Sequence, residues 1–239
     1  MDVYNGDDFE VKSKSDESPV TIADETADKH IFAGLRLAFP DIAIVTEEQS
    51  DTHSETSNTF FIVDPLDGTK EFIHRRGDFT VNIAYVVDGK PVAGVVYAPA
   101  KQRLFYTDAT GQSVEEFGDH NAVSNPDNDN LIVVASKSHR DQATEDYINK
   151  YALKDSAAAG SSLKFCLVAT GEADLYPRVG RTMEWGMGYC RLAMLCCFGA
   201  GGDVVRFDNP SSHSTYGTNP FFENTFFIRI CARCCAAIG

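Results

Sequence analysis

The chain has 239 residues, 43% hydrophobic and 23% charged, enough to bury a sizeable core as one domain or two intimate subdomains. Its 35 acidic residues outnumber 21 Lys and Arg, and a net charge of -14 repels nucleic-acid backbones and anionic lipid, which argues against a polymer-binding role. No run approaches the roughly 18–20 apolar residues that span a bilayer, and the acidic start "MDVYNGDDFEVKSKSDES" is no signal peptide, so the expected compartment is the cytoplasm.

Residues 20–38 place Ile22, Ala27, Ile31, Leu35 and Leu37 at helical spacing, with Thr21 or Ser18 as N-cap and Pro40 as the stop. The runs at 42–48 and 59–64 read as buried strands. Residues 79–99 form two period-2 segments around Asp88-Gly89, a hairpin signal, and 103–111 continues as a third strand. A polar, turn-rich stretch at 112–130 predicts a seam between a first subdomain, residues 1–125, and a second, residues 126–239. The second half predicts a strand at 131–136, helices near 140–151 and 161–171, and a short strand at 173–176. A helix near 185–198 and a strand at 203–207 follow. Strands in runs with helices between them predict layered α/β packing.

Seven cysteines are unevenly placed, six of them in two tracts, Cys190, Cys196 and Cys197, then Cys231, Cys234 and Cys235. "CARC" at 231–234 has the spacing of a zinc half-site, with Cys196/Cys197 as a conceivable partner pair. Adjacent Cys-Cys pairs are poor tetrahedral chelators, so reduced thiols are the preferred reading. An odd count without a leader argues against a disulfide framework.

The chemistry concentrates in "FFIVDPLDGTKEF", residues 60–72. Asp64 ends a buried strand, Pro65 fixes φ into a turn, and Asp67-Gly68 completes it. Two carboxylates around one turn repel each other when partly buried, and a hard divalent cation such as Mg2+ relieves that repulsion through oxygen ligands. Thr69 adds a hydroxyl, and the N–H groups of Gly68 and Thr69 suit phosphate oxygens. An Asp-rich turn with capping only is the plainer alternative. Glu47-Glu48 also follow a strand, and Asp24 lies in the first turn of the early helix. Taken singly, these acids read first as exposed side chains or caps.

"SPVTIAD", "TEEQS" and "DPLDGTKEF" resemble, in order and spacing, the magnesium-dependent, lithium-sensitive phosphomonoesterases of the inositol monophosphatase superfamily. "DGTKEF", "SKSH" (136–139), "GSSLKF" (160–165), "DLYPR" (174–178) and "TMEW" (182–185) are similar to its CysQ-type bisphosphate nucleotidase branch. The resemblance implies the superfamily's layered α+β (α-β-α-β-α) sugar-phosphatase sandwich. It also implies two to three Mg2+ ions, inhibition by Li+, and removal of the 3'-phosphate from 3'-phosphoadenosine 5'-phosphate. Glu47, Asp64, Asp67 and the carbonyl of Leu66 would bind Mg2+, Asp24 would help hold a weaker ion, and Glu47 and Thr69 would orient the attacking water. Gly68, Thr69, Lys70, Ser161, Lys164, Arg178 and Glu184 would line the substrate, with Lys14 as a further cation. Some CysQ-type proteins are peripheral at the inner membrane. Action on an inositol phosphate or another small sugar phosphate is the alternative with the same chemistry.

One departure matters. After "TMEW" the resemblance implies an Asp that ligates metal, but Gly186 stands there and brings no side-chain oxygen. A catalytically impaired member is therefore a competing reading. The codons of Met187–Cys190, read one nucleotide later, can spell Trp-Asp-Thr-Ala, so 186–199 and the Cys-rich tail at 229–239 read as local frame shifts.

Overall fold

The computed structural model describes residues 1–6, 11–13, 19–54, 57–88, 90–111, 113–116, 131–136, 142–149, 153–177, 203–205 and 229–231. A short helix, α1 (Asp2–Asn5), and an antiparallel pair, β1 (Val11–Ser13) with β2 (Pro19–Thr21), precede the first long helix, α2 (Ile22–Ala38). Thr21 caps α2, and its hydroxyl accepts from the Ala23 N–H at 3.1 Å. The sequence offered Ser18 or Thr21 for this role, and the capping box with Asp24 explains the choice.

The strand carrying Asp64 is longer than its apolar run: β4 spans Thr59–Asp67 and is buried from Phe60 through Leu66. It lies inside a six-stranded sheet, parallel to β3 (Ala43–Thr46) and antiparallel to β5 (Thr80–Val87). β5 turns through Asp88, at φ 50, into β6 (Lys90–Ala98), the hairpin that the Asp-Gly signal predicts. β7 (Arg103–Thr107) and β8 (Ser113–Glu116) complete the sheet. β8 falls within the stretch expected to be a polar seam. Its partner strand supplies the pairing that its own polar sequence does not advertise.

Alternation along β4 feeds both faces of this sheet. Phe61 and Val63 join Ile44 and the Ile31, Phe32 and Leu35 side chains of α2 on one side. Phe60 and Ile62 join Val45, Ala84 and Val86 on the other. The helical stripe expected from the sequence is corrected at both ends, because Ile22 is 52% and Leu37 86% exposed. Asp24 and Asp28, both buried, take the inward positions two turns and one turn before Ile31 and Phe32, respectively. Two carboxylates thus occupy a face that hydrophobicity alone would assign to apolar side chains.

In the second half β9 (Leu131–Ser136) pairs in parallel with β10 (Leu153–Ala159), a strand the apolar pattern did not predict. The expected strand at 173–176 is a single bridge from Leu175 to Val133. Helix α4 (Gln142–Ile148) meets this sheet through Ile148, packed with Val133, Ala135 and Leu175. Helix α5 (Leu163–Ala169) lies against its other side. There Leu163, Phe165 and Cys166 share one cluster with Val134 and Ala159, and also with Val96, Ala98 and Phe105 of the large sheet. The layers run α2, large sheet, α5, small sheet, α4. A further antiparallel pair, β11 (Asp203–Val205) with β12 (Arg229–Cys231), follows, and the helix expected at 185–198 lies outside the described residues. Among the described residues no helix is long and apolar enough to cross a membrane.

Arg103 of β7 fastens the layers electrostatically. Its Nε donates to Glu115 at 2.6 Å, and its Nη1 and Nη2 donate to Glu172, just past α5, at 3.2 and 2.5 Å. Burial disfavours the Arg103 charge, yet these hydrogen bonds and the two neighbouring carboxylates outweigh it and hold its pKa above the ordinary value. The apolar contacts remain the larger contribution to stability. Phe105→Ala, at a side chain 2% exposed in the shared cluster, should cost about 3–5 kcal/mol in urea unfolding.

Candidate functional site

β3 and β4 run parallel, with Thr46 opposite Val63, so both strands end at the same edge of the sheet. Ligands of α/β proteins commonly sit outside such carboxyl ends. Glu47 follows β3 there, its N–H donating to the Val63 carbonyl at 3.0 Å. On the other side β4 slips register against β5 between Asp64 and Asp67, opposite Asn82 and Thr80. Pro65 cannot donate to the ladder, and the irregularity falls where it stands. Asp64, 3% exposed, accepts from the Leu66 N–H at 3.1 Å across this bulge.

The chain then turns at Gly68, with φ 93, into a one-turn helix, α3 (Thr69–Ile73). A Cβ at Gly68 would lie 3.0 Å from the Asp78 carbonyl oxygen and 3.1 Å from the Ser161 Cβ, so both the backbone conformation and the space demand glycine. The Thr69 hydroxyl is shared between the Asp24 carboxylate at 3.2 Å and the Leu66 carbonyl at 3.4 Å. Asp24, 1% exposed, also accepts from the Thr21 N–H and hydroxyl at 2.8 and 2.6 Å. Helix α2 is thereby tied to the turn, and Asp24, Leu66 and Thr69 meet at one point.

The second half arrives through the loop before α5. The Ser162 hydroxyl donates to Asp67 at 2.6 Å, and Asn82 Nδ2 donates to Ser162 at 3.3 Å. Ser161 holds φ 51, a left-handed conformation costly for a residue with a Cβ, and such strain concentrates at functional sites. Its carbonyl accepts from Lys164 Nζ at 2.6 Å. Lys164 is only 4% exposed and lies 5.3 Å from the Tyr176 ring centroid, so it is a buried cation rather than surface charge. Asp78 underpins this loop, accepting from the Gly160 N–H at 3.3 Å and pairing with Lys101 at 3.1 Å.

The structure therefore gathers Asp24, Asp64, Leu66, Asp67, Gly68, Thr69 and Ser161 at one edge, with Glu47 following the parallel strand and Lys164 behind the loop. Lys70, by contrast, is exposed. Lys14, Arg178, Glu184 and position 186 lie outside the described residues. Asn82, Asp78 and Glu71 were not singled out from the sequence. Asn82 was legible in principle, since an amide at an inward position of an alternating strand needs a polar partner; among the described residues one of its buried atoms, Oδ1, has no hydrogen-bond partner. Asp78 and Glu71 offered no local signal, because only tertiary packing buries them.

Among the described residues no group of three or more His, Cys, Asp and Glu side chains is close enough to hold an ion by itself. The donors that do converge are carboxylate, hydroxyl and main-chain carbonyl oxygens, with no nitrogen or sulfur. Such a set fits a hard cation that retains waters.

A model described as "Inositol monophosphatase family" matches residues 1–218. The chain belongs to the inositol monophosphatase family. Within it, the 3'(2'),5'-bisphosphate nucleotidase CysQ of Salmonella typhimurium is 44% identical over 188 residues, covering 77% of this chain and 76% of that protein. The CysQ of Buchnera aphidicola is 35% identical over 233 residues, covering 95% and 86%. The solved CysQ from Bacteroides thetaiotaomicron aligns with TM-score 0.74 and 33% identity over 97% of this chain and 91% of that one. An IMPase/NADP phosphatase complexed with Mg2+ and phosphate shares the fold at TM-score 0.76 and 18% identity, covering 96% and 84%. The layered sandwich implied by the sequence motifs is the fold of this family.

Two glycines test how tightly the site is packed. A Cβ at Gly160 would meet Glu71 Cγ at 2.4 Å and the Asp78 carbonyl at 2.7 Å, whereas nothing lies within 4 Å of one at Gly34, inside α2. Gly160→Ala should destabilise by about 1–3 kcal/mol through overpacking. Gly34→Ala should stabilise by about 1 kcal/mol through helix propensity. Chemical denaturation of both variants checks the contrast.

Proposed function

We propose that this chain is a Mg2+-dependent 3'(2'),5'-bisphosphate nucleotidase that acts in the cytoplasm on a small phosphorylated nucleotide. Its reaction would convert 3'-phosphoadenosine 5'-phosphate to AMP and phosphate. The observation that carries this reading is the turn at the end of β4. There Asp64, Asp67 and Thr69 meet Asp24 from α2 and Ser162 from the second half, and CysQ relatives at 44% identity support the substrate class. No described segment supports attachment to the inner membrane.

Glu47, Asp64, Asp67 and the Leu66 carbonyl would hold Mg2+, with Asp24 beside a weaker ion, for two or three in all. When bound, Mg2+ supplies neutralisation of the charge that develops on the phosphoryl oxygens. The protein's own part is orientation. The Thr69 proton is committed to Asp24 and the Leu66 carbonyl, which leaves the hydroxyl oxygen to accept from an incoming water. Glu47, just past the end of the parallel strand β3, is the candidate to take that water's proton. The strained loop at Ser161–Ser162 and the Gly68 N–H would offer donors to the remainder of the nucleotide, Lys70 and Arg178 would offer positive charge with Lys164 buried behind the loop, and Glu184 would accept from the substrate. These positively charged and N–H groups offset, locally, a surface field that otherwise repels an anionic substrate.

Phosphate release from 3'-phosphoadenosine 5'-phosphate and from inositol monophosphate, with and without Mg2+ and Li+, tests the reading. Activity should require Mg2+, fall with Li+ and favour the nucleotide; preference for inositol phosphate would transfer the assignment to the sugar-phosphate alternative. Thr69→Val should lower kcat by about 10–100-fold while leaving the fold intact.

A second reading rests on Gly186, which supplies no carboxylate where the family motif has Asp. On that reading the parent is slow, and Gly186→Asp raises its rate of phosphate release. No gain over a weak parent would remove position 186 from the account.

A further inference from the structure

Helix α2 buries a second carboxylate that the proposed chemistry does not use. Asp28 sits one turn after Asp24 and is 2% exposed. It faces the sheet in the stripe continued by Ile31, Phe32 and Leu35. An apolar side chain there would add to that cluster, whereas a carboxylate costs desolvation that only hydrogen bonds offset. Its described partners are neutral: the Thr46 hydroxyl donates to Oδ1, and Gln49 Nε2 donates to Oδ2 at 2.6 Å. No Lys or Arg is among them.

Those two partners bracket Glu47 and Glu48. Thr46 is the last residue of β3 and Gln49 stands three residues on. With its proton given to Asp28, the Thr46 hydroxyl accepts from the Glu48 N–H at 3.4 Å. The rest of the turn is closed by Thr52, whose hydroxyl accepts from the Thr46 N–H at 3.1 Å and donates to the Gln49 carbonyl at 2.6 Å. His53 Nε2 lies 2.8 Å from the Thr46 carbonyl. The segment that carries Glu47 is thus clamped from both ends. Asp28 is the point at which the clamp is anchored to α2, the helix that also delivers Asp24 to Thr69.

We propose that Asp28 is a positioning residue: it fixes the Thr46–Gln49 turn and so sets the placement of Glu47 and the affinity of the site for its divalent cation. This rests on the reading that Glu47 is a metal ligand. Two carboxylates of one helix, four residues apart, then divide the work, Asp24 addressing the β4 turn and Asp28 the β3 turn.

The test is calorimetric titration of the full chain with Mg2+ in the absence of substrate, alongside urea unfolding without metal. Asp28→Asn puts an amide donor against a donor from Thr46 or Gln49. It should weaken Mg2+ binding by about 10–100-fold, the usual effect of losing a residue that orients a ligand. Asp28→Asn combined with Gln49→Glu restores an acceptor opposite the new amide without changing net charge, and should recover most of the affinity. Gln49→Met, at a half-buried position, cuts one link and should give a smaller loss, even if Asp28→Asn does not fold. Unchanged Mg2+ affinity in Asp28→Asn or Gln49→Met, or a loss not recovered in the double variant, overturns the positioning role. A parent chain that itself gives no Mg2+ isotherm overturns the underlying metal reading instead, and the two failures are distinguishable.

Discussion

The placement of negative charge at the end of a strand buried on both faces constrains everything else in this molecule. Asp64 and Asp67 cannot relax away from each other, because β4 is held by β3 on one side and β5 on the other. Like charges confined in a partly buried turn raise the free energy of the folded state unless donors or cations answer them. The protein answers with a local peptide N–H at Leu66 and a hydroxyl from Ser162. The turn therefore dictates where α2 must deliver Thr69's partner, where the α5 loop must approach, and why glycine is needed at position 68.

Much of this was legible beforehand because it is local. The Asp-Pro-x-Asp-Gly-Thr run encodes its own turn: proline breaks the ladder, glycine takes the left-handed conformation, and threonine opens a short helix. The Asp88 turn and the Thr21 cap are likewise written within a few residues of where they act. What escaped depends on contacts between distant segments. Asp28 carried no signal of its own, since nothing near it in sequence reveals the Thr46 hydroxyl it meets 18 positions later. Leu37 and Ile22 looked inward by periodicity, but the sheet below α2 covers only the stripe from Asp24 to Leu35. β10, with its run of small residues, is a strand because β9 supplies its partner edge. Lys164 was expected as an available cation and is instead enclosed by Ser161 and Tyr176.

The site also shows why a predominantly acidic protein can address an anionic ligand. Net charge governs approach at a distance, but within hydrogen-bond range the local arrangement prevails. Carboxylates in the first half suit a cation, and the donors of the loop before α5 suit an anion. The hydrogen bond from Ser162 to Asp67 brings those opposite preferences to one boundary.

The cluster that Val96, Ala98 and Phe105 share with Leu163, Phe165 and Cys166 has a consequence for how the family's chemistry can drift. The floor of the loop before α5 is also the floor of the large sheet, so the two cannot be tuned separately. A methylene lost beneath β6 or β7 shifts the Ser161–Ser162 loop as surely as a change in the loop itself, and shifts of about 1 Å can cost two orders of magnitude in rate. New substrate preferences are therefore more accessible through side chains at the rim than through the shared floor.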